Sequence, residues 1–176
     1  LSFQQVGNIL LNAGKGDIRG SGTIQNSGNL VLGAGQIYPN TASKLTFVNY
    51  DYQDGDVTRE GSISVTGNGK KSLPLSAGGT LSLYASNITQ NGTLRAPFGT
   101  INLGWDGTGS RPVDILAGTT AGSRFPVTRK LTLGSSSVTS VSAVDPITNK
   151  GITIPYGVST NGENWIDPRG VDITGS

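Results

Sequence analysis

The sequence predicts an all-β protein, and within that class a right-handed parallel β-helix with three faces and coils of about 20–25 residues. Two observations lead to this prediction. Apolar residues alternate with small or polar residues in short bursts, as they do in strands, and no helical spacing of useful length appears in the chain. The segment GTLSL at 79–83 returns as GTINL at 99–103, so one structural unit repeats at an interval of about twenty residues.

The predicted strands are short, and each is flanked by glycine, asparagine, serine or threonine. They are too short for an antiparallel sandwich, in which strands of about five to six residues are joined by tight hairpins. The bursts lie at residues 9–11, 30–32, 45–47, 63–65, 81–83, 101–103, 113–115, 131–133, 152–154 and 171–173.

The spacing of the bursts favours a β-helix over other repeat folds. The apolar or small residues at positions 9, 11, 13, 18 and 24 are matched closely in spacing by those at 81, 83, 85, 88 and 94. The L-x-x-L-x-L frame of leucine-rich repeats is absent. Coils of three short strands fit better, because each strand can pair with its counterpart about 4.8 Å away in the next coil. We expect roughly seven or eight coils, and a ladder of stacked amides at the strand starts from asparagines 8, 29 and 102.

Two segments do not fit the repeat and are predicted to be loops that leave the coils. The first, 48–61, has the aromatic and acidic sequence VNYDYQDGDVTREG, and the second spans 104–126. Residues 144–176 are interpreted as atypical or capping coils. The whole chain, 1–176, is interpreted as a single β-helical segment of a longer protein.

Composition narrows the possible functions. The chain of 176 residues has 27 glycines and a formal net charge of +2, with no histidine, cysteine or methionine. It therefore has no disulfide, no thiolate metal site and no histidine-activated nucleophile. The basic residues are scattered, whereas nucleic-acid binding normally needs a concentrated basic face. We therefore expect no nucleic-acid partner. The longest apolar runs are far shorter than a membrane span of about 20 residues, so we also expect no membrane span.

Five residues in the two loops are candidates for ligand binding: Trp105, Asp106, Arg111, Tyr50 and Tyr52. Long loops of repeat proteins commonly provide the recognition surface. A tryptophan beside an acid can stack on a sugar ring and hydrogen-bond to it, which makes a glycan the expected ligand. The alternative interpretation is that Trp105 covers part of the hydrophobic core beneath its loop.

Catalytic and metal sites are not expected. The best acidic cluster is Asp51, Asp54, Asp56 and Glu60, but it lacks the D-x-[DN]-x-[DN]-G frame of a calcium loop. We therefore predict no catalytic residue, no metal ligand and no cofactor, and interpret this cluster as a solvated loop.

Three motifs resemble a known family. LRAPFGTINLG at 94–104, LTLGSSSVTSVSA at 131–143 and IPYGVSTNGENW at 154–165 are similar to the C-terminal region of filamentous-haemagglutinin-type exoproteins of Gram-negative bacteria. The resemblance covers about residues 79 to 176, while the first 78 residues share only the general repeat. The Asn-Pro-Asn-Gly type of motif, typical of the family's N-terminal secretion domain, is absent.

The resemblance implies a role outside the cell. Such proteins are exported by the two-partner route, so the implied partner during export is an outer-membrane transporter. The implied location is the bacterial surface or the medium, and the implied function is a rigid adhesive shaft that presents loops to host cells or glycans. Two alternatives stay open: a polysaccharide-active β-helix enzyme, and a spacer or cap without any ligand.

Overall fold

A computed structural model describes residues 7–69, 72–112, 125–151, 158–159, 165–166 and 170–172. These residues form strands, turns and irregular segments with no helix among them, which confirms the prediction of an all-β protein. No described segment could therefore cross a membrane as a helix.

Most of the strands are short, as the alternation in the sequence predicts. In chain order the strands are β1 (Asn8–Asn12), β2 (Ile18–Gly20), β3 (Gly22–Ser27), β4 (Asn29–Ala34), β5 (Ile37–Pro39), β6 (Lys44–Tyr50), β7 (Tyr52–Asp54), β8 (Val57–Arg59), β9 (Ser62–Gly67), β10 (Thr80–Ala85), β11 (Asn87–Asn91), β12 (Thr93–Arg95), β13 (Thr100–Leu103), β14 (Lys130–Leu133), β15 (Val138–Ser140), β16 (Val158–Ser159) and β17 (Trp165–Ile166).

Three parallel sheets contain most of these strands. Sheet 1 has the order β1-β4-β9-β11-β14, sheet 2 has β15-β12-β5-β2, and sheet 3 has β13-β10-β6-β3. Two small antiparallel pairs, β7 with β8 and β16 with β17, stand outside them.

The chain visits the three sheets in a fixed order, from sheet 1 to sheet 2 to sheet 3, and we call one such pass a round. Asn8 pairs with Asn29 of the next round, 21 residues later, and Ser82 pairs with Asn102, 20 residues later. The described residues form five rounds. The prediction of seven or eight divided the whole chain into coils of average length and left no residues for the excursions. The predicted strands at 113–115 and 152–154 lie outside the described residues.

The hydrophobic core lies between the three sheets. Alternate residues of each strand point inward, since side chains alternate between the two faces of a strand. In sheet 3, for example, Ile24, Phe47 and Leu83 occupy adjacent positions in register and pack into the core. The fully or nearly fully buried members of the core are Leu30, Leu32, Ala34, Ile37, Leu45, Phe47, Ile63, Val65, Leu81, Leu83, Ala85, Ile88 and Leu94.

The third round has no strand in sheet 2, so β5 of the second round pairs directly with β12 of the fourth. The segment after β9 crosses the outer face of sheet 2 instead. The Gln36 side-chain amide donates to the carbonyl oxygen of Ser72 at 3.1 Å and to its hydroxyl at 2.9 Å. Tyr38 is buried beneath this segment and bonds to the backbone of Leu75, and its burial raises the pKa of the Tyr38 hydroxyl.

The first predicted excursion, 48–61, begins later than predicted. Val48, Asn49 and Tyr50 complete β6 and are buried. They remain in the sheet because β3 pairs with all three on one side, while β10 pairs with the first two on the other. The excursion consists of residues 51–61 and includes the antiparallel hairpin of β7 and β8.

The last rounds are held together outside sheet 2 by a buried arginine. The Nη2 group of Arg95 in β12 donates to the carbonyl oxygen of Val144 at 2.6 Å. Val144 forms an isolated antiparallel bridge with Gly151, which closes a turn. Of the predicted capping segment 144–176, the structure describes this turn, the short pair β16–β17 and residues 170–172, and the rest lies outside the described residues.

We expect the substitution Gln90→Ala to lower the free energy of unfolding by about 1–3 kcal/mol, the usual result of leaving buried polar groups without partners. Gln90 is completely buried in β11. Its amide nitrogen donates to the carbonyl oxygens of Gly92 and Val138 at 3.1 and 3.0 Å, and its oxygen accepts from the Gly92 backbone at 2.7 Å. Urea denaturation followed by circular dichroism measures the effect.

The matched control is Gln53→Ala, because the side chain of Gln53 is exposed on the hairpin and bonds only to the hydroxyl of Thr58. A loss of stability equal to that of Gln90→Ala would show that the buried amide does not link the fourth and fifth rounds.

Candidate functional site

The two excursions leave the sheets at the same corner, where sheet 3 leads into sheet 1. In two other rounds a single residue makes this corner: Gly28 joins β3 to β4, and Ser86 joins β10 to β11. The first excursion replaces that residue between β6 and β9, and the second replaces it between β13 and β14. We call the described residues of both excursions, 51–61, 104–112 and 125–129, the corner site.

The first excursion projects a hairpin into solvent. Its strands are tied by an ion pair between Arg59 and Asp54 at 3.2 Å and by a hydrogen bond from the Gln53 amide to the Thr58 hydroxyl at 2.8 Å. Tyr52 lies half-buried at its base, paired with Arg59 in the ladder. Of the two candidate tyrosines, Tyr52 is therefore the one that the structure places at the corner site.

Tyr50 is not available to a ligand, contrary to the sequence-based interpretation. It lies on the outer face of sheet 3 with 2% of its surface exposed, and its hydroxyl accepts a hydrogen bond from Gln25 at 3.2 Å. It packs in a cluster with Val48, Tyr84 and Phe125. The sequence prediction failed here because the alternation that buries one face of a strand cannot show that a later segment covers the other.

The second excursion folds back over sheet 3 through aromatic packing. The ring of Phe125 meets Tyr84 edge-on at a centroid distance of 5.0 Å, and the ring of Trp105 meets Phe125 in the same manner at 5.8 Å. The indole nitrogen of Trp105 donates to the carbonyl oxygen of Thr108 at 2.8 Å. Trp105 is only partly buried, so it both covers this cluster and leaves part of its surface to solvent.

Asp106 belongs to a tight turn beside the tryptophan. Its Oδ1 atom accepts from the backbone nitrogen of Thr108 at 2.9 Å and from the Thr108 hydroxyl at 2.8 Å. These hydrogen bonds lower the pKa of the Asp106 carboxyl below its ordinary value. Arg111 is exposed further along the same segment. The structure thus brings Trp105 and Asp106 into one ordered turn.

The acidic residues of the first excursion point to separate partners. Asp51 accepts from the backbone nitrogen of Gly61 at 2.7 Å and from the hydroxyl of Ser86 at 2.6 Å, which pins the base of the excursion to the adjacent round. Asp54 is paired with Arg59 in the hairpin. Across the ranges that the structure describes, no three carboxylates converge in a way that could hold a metal ion.

A polar network links the two excursions. The side-chain amide of Asn87, at the start of β11, donates to Glu60 Oε2 at 2.7 Å. Arg129, at the end of the second excursion, forms an ion pair with the other carboxylate oxygen of Glu60. The excursions therefore have a shared base, although the third and fourth rounds lie between them in the chain.

We expect the stabilising effect of Glu60 to depend on pH. The hydrogen bond from Asn87, together with the charge and hydrogen bond of Arg129, lowers the pKa of Glu60 from its usual value of 4.5. A folded-state pKa below the unfolded value stabilises the fold above pH 4.5, and this contribution is lost as the pH falls through the folded pKa. The difference in Tm between the unsubstituted protein and Glu60→Gln should therefore shrink on acidification and in high salt.

The control for this experiment is Asn87→Ala, which removes the hydrogen bond with the largest effect on the Glu60 carboxyl. In that background the pH dependence of the Tm difference should be weaker. A Tm difference that is the same at pH 3 as at pH 7 would contradict the assignment.

Sequence reasoning missed Asn87 and Arg129 as members of the corner site. A signal for Asn87 was present, since the predicted asparagine ladder at the strand starts does form in part: the Asn29 amide donates to Asn8 at 2.9 Å. Asn102 differs, because its amide donates to the hydroxyl of Ser82 at 3.1 Å. Nothing in the sequence indicated that Arg129 belongs to the corner site, because its ion pair with Glu60 joins residues 69 positions apart.

Comparison with known proteins adds no relative. No protein-family description matches the chain, and no curated protein or solved structure matches it significantly. The motifs at 94–104, 131–143 and 154–165 thus remain the basis of the resemblance to filamentous-haemagglutinin-type exoproteins.

Proposed function

We propose that the chain is a right-handed parallel β-helix that serves as the stiff shaft of a secreted, filamentous-haemagglutinin-type exoprotein and presents loops for attachment to cell surfaces or glycans. The observation that carries the proposal is the fixed order of the three parallel sheets, with both excursions at one corner. A right-handed path is the expected one, because nearly all connections between parallel strands of one sheet have that hand.

Stacked rounds suit a mechanical role. Each strand that enters a sheet pairs with the rounds before and after it, so a short sequence repeat can produce a continuous core of any length. Buried side chains recur in register from round to round, as with Leu30 and Ile63 in sheet 1. A shaft of this type resists bending, since bending would separate paired backbones along one side.

Export and location are proposed from the resemblance. An outer-membrane transporter of the two-partner type would be the partner during export, and the released or surface-bound exoprotein would be the product. A chain free of cysteine suits this route, because no disulfide could form before translocation.

Recognition is proposed for the corner site, because both excursions emerge on one side of the shaft and are joined at their bases by Glu60. Trp105 offers a partly exposed ring next to the polar turn of Asp106. A sugar ring stacked on the indole could hydrogen-bond to such a turn. Arg111 on the second excursion and Tyr52 on the first would offer further polar groups to the ligand.

We expect Trp105→Ala to abolish binding of the purified segment on a glycan array. Circular dichroism must show that the variant keeps its β-structure, because the ring also covers Phe125. Arg111→Ala is the companion variant, since its side chain is exposed and its removal should weaken binding without loss of stability. Binding that survives both substitutions would remove the corner site from the proposal, and a well-folded segment that binds nothing would favour the spacer or cap.

A polysaccharide-active enzyme is the competing proposal. Lyases and hydrolases of this architecture need clustered acidic groups, whereas Asp51, Asp54 and Glu60 face separate partners. Cleavage of uronate polymers by the purified segment would overturn the proposal of a purely adhesive shaft.

A further inference from the structure

The outer faces of the three sheets differ in how they are covered. On sheet 3, Val48, Tyr50 and Tyr84 are buried beneath Phe125 of the second excursion. On sheet 2, part of the outer face is buried beneath the segment 72–79 and the turn at 144–151. On sheet 1, every described outward-facing strand residue is exposed or half-buried. Within the part of the chain that the structure describes, sheet 1 is therefore the sheet on whose outer face no strand residue is buried.

This outer face of sheet 1 is mostly polar and carries little charge. Its residues form rows that run across the strands, along the direction in which the rounds stack. Among the described strand residues of this face, the only charged side chain is that of Lys130, at one end. The first row is Asn8, Asn29, Ser62, Asn87 and Lys130, the second is Leu10, Val31, Ser64, Thr89 and Thr132, and the third is Asn12, Gly33, Thr66 and Asn91.

Hydrogen bonds between neighbouring rounds hold the first row in place. The Asn29 amide donates to Asn8 Oδ1 at 2.9 Å, and the Ser62 hydroxyl donates to Asn29 Oδ1 at 2.7 Å. Asn87 continues the row and is held by Glu60 of the corner site. Ordered side chains lose less conformational entropy when a ligand binds, so this row is pre-organised for repeated hydrogen bonding.

The first excursion borders this face. It returns to sheet 1 at Ser62, and Glu60 reaches the first row through Asn87. The base of this excursion thus lies at the edge of the face where the strands begin. A long, narrow ligand that follows the first row would pass beside this base.

We propose that the outer face of sheet 1 binds a neutral glycan chain that runs along the rows, beside the corner site. The inference rests on the proposed adhesive function and assigns it a surface and a ligand class. Within each row, the side chains of successive strands are spaced by about 4.8 Å, and most of them carry a hydroxyl or amide group. A glycan chain carries hydroxyl groups on every sugar unit, so successive units can hydrogen-bond to successive strands. With Lys130 as the one charged side chain among its described strand residues, this face offers little counter-charge to an acidic polymer, so a neutral chain is the occupant that fits its charge.

The test uses affinity electrophoresis of the purified chain in gels that contain a neutral polysaccharide, with laminarin, dextran and hydroxyethylcellulose as three separate probes. Heparin and alginate serve as acidic probes. Ser64→Lys and Thr89→Lys place a charge in the middle row, and Thr100→Lys places the same charge on the exposed start of β13 in sheet 3, outside both this face and the corner site. We expect at least one neutral probe to retard the unsubstituted chain, with about tenfold weaker binding in both middle-row variants and unchanged binding in Thr100→Lys.

A milder variant separates recognition from folding. Thr89→Val keeps the branched shape that suits a strand and removes one hydroxyl, so it should fold normally and bind severalfold more weakly. Thermal melting of each variant checks the fold.

The outcomes distinguish this inference from the function on which it rests. Binding to acidic probes alone, or neutral-glycan binding that is unaffected by changes at Ser64 and Thr89, overturns the sheet 1 site. If binding to any of these probes is unaffected by the changes at Ser64 and Thr89 but is lost in Trp105→Ala, the adhesive function survives and the corner site performs it. Absence of binding to every probe, with an intact fold, overturns both.

Discussion

Replacement of Phe47 by alanine should lower the free energy of unfolding by about 3–5 kcal/mol, the largest effect that we expect from a single side chain in this core. Phe47 is completely buried, and in sheet 3 it lies between Ile24 of the round before and Leu83 of the round after. The cavity left by the ring cannot collapse easily, because paired strands hold the backbone on both sides. Urea denaturation followed by circular dichroism measures the loss.

Val57→Ala is the control for this prediction. Val57 is an apolar strand residue like Phe47, but it lies on the hairpin of the first excursion with 51% of its surface exposed. We expect a change within about 0.5 kcal/mol, as for other exposed positions. Similar losses in the two variants would mean that the interior of the three sheets is not a close-packed core.

Gly28→Ala should destabilise the fold by about 3 kcal/mol or more, through backbone strain and a steric clash at the same residue. Gly28 makes the one-residue corner between β3 and β4 with a φ of 105°, which L side chains rarely adopt. A Cβ atom there would overlap the backbone of Gly7 in the adjacent round. The Gly28 carbonyl also accepts from the Ser62 backbone nitrogen at 2.8 Å, so any shift would disturb two neighbouring rounds.

Gly22→Ala separates the two causes. Gly22 has a similar φ of 98°, but nothing lies within 4 Å of the position that a Cβ would occupy. It should therefore show the strain alone, at about 1–2 kcal/mol. If Gly28→Ala costs no more than Gly22→Ala, the close approach of the rounds at this corner does not limit stability. Thermal and urea denaturation of both variants decides between these results.

Much of the fold could be predicted from the alternation of residues. The pattern Leu30-x-Leu32, repeated at Ile63-x-Val65, identifies the inward face of sheet 1, because a strand turns successive side chains to opposite sides. Two excursions were also predicted, at 48–61 and 104–126, because neither segment fits the repeat. The end of β6 at Tyr50 could not be predicted from the sequence, because pairing with β3 decides where this strand ends.

The corner site was predicted in part. Trp105, Asp106 and Tyr52 lie on the excursions and Tyr50 is buried in β6, while the binding of a ligand stays a prediction. The partners of Glu60 could not be found from sequence, because its contacts join Asn87 and Arg129 from separate rounds and their distance in the chain depends on the length of the excursions.

The sequence by itself determined the all-β class, the inward face of each repeated strand and the existence of two excursions, because these follow from a local alternation and its interval. Only the tertiary structure decided which outward faces are covered. Segment 72–79 and Phe125 cover parts of two sheets, while the outward rows of sheet 1 stay exposed or half-buried. The physical reason is that an outward side chain has the same local pattern whether it meets water or a distant segment, and only long-range packing distinguishes the two.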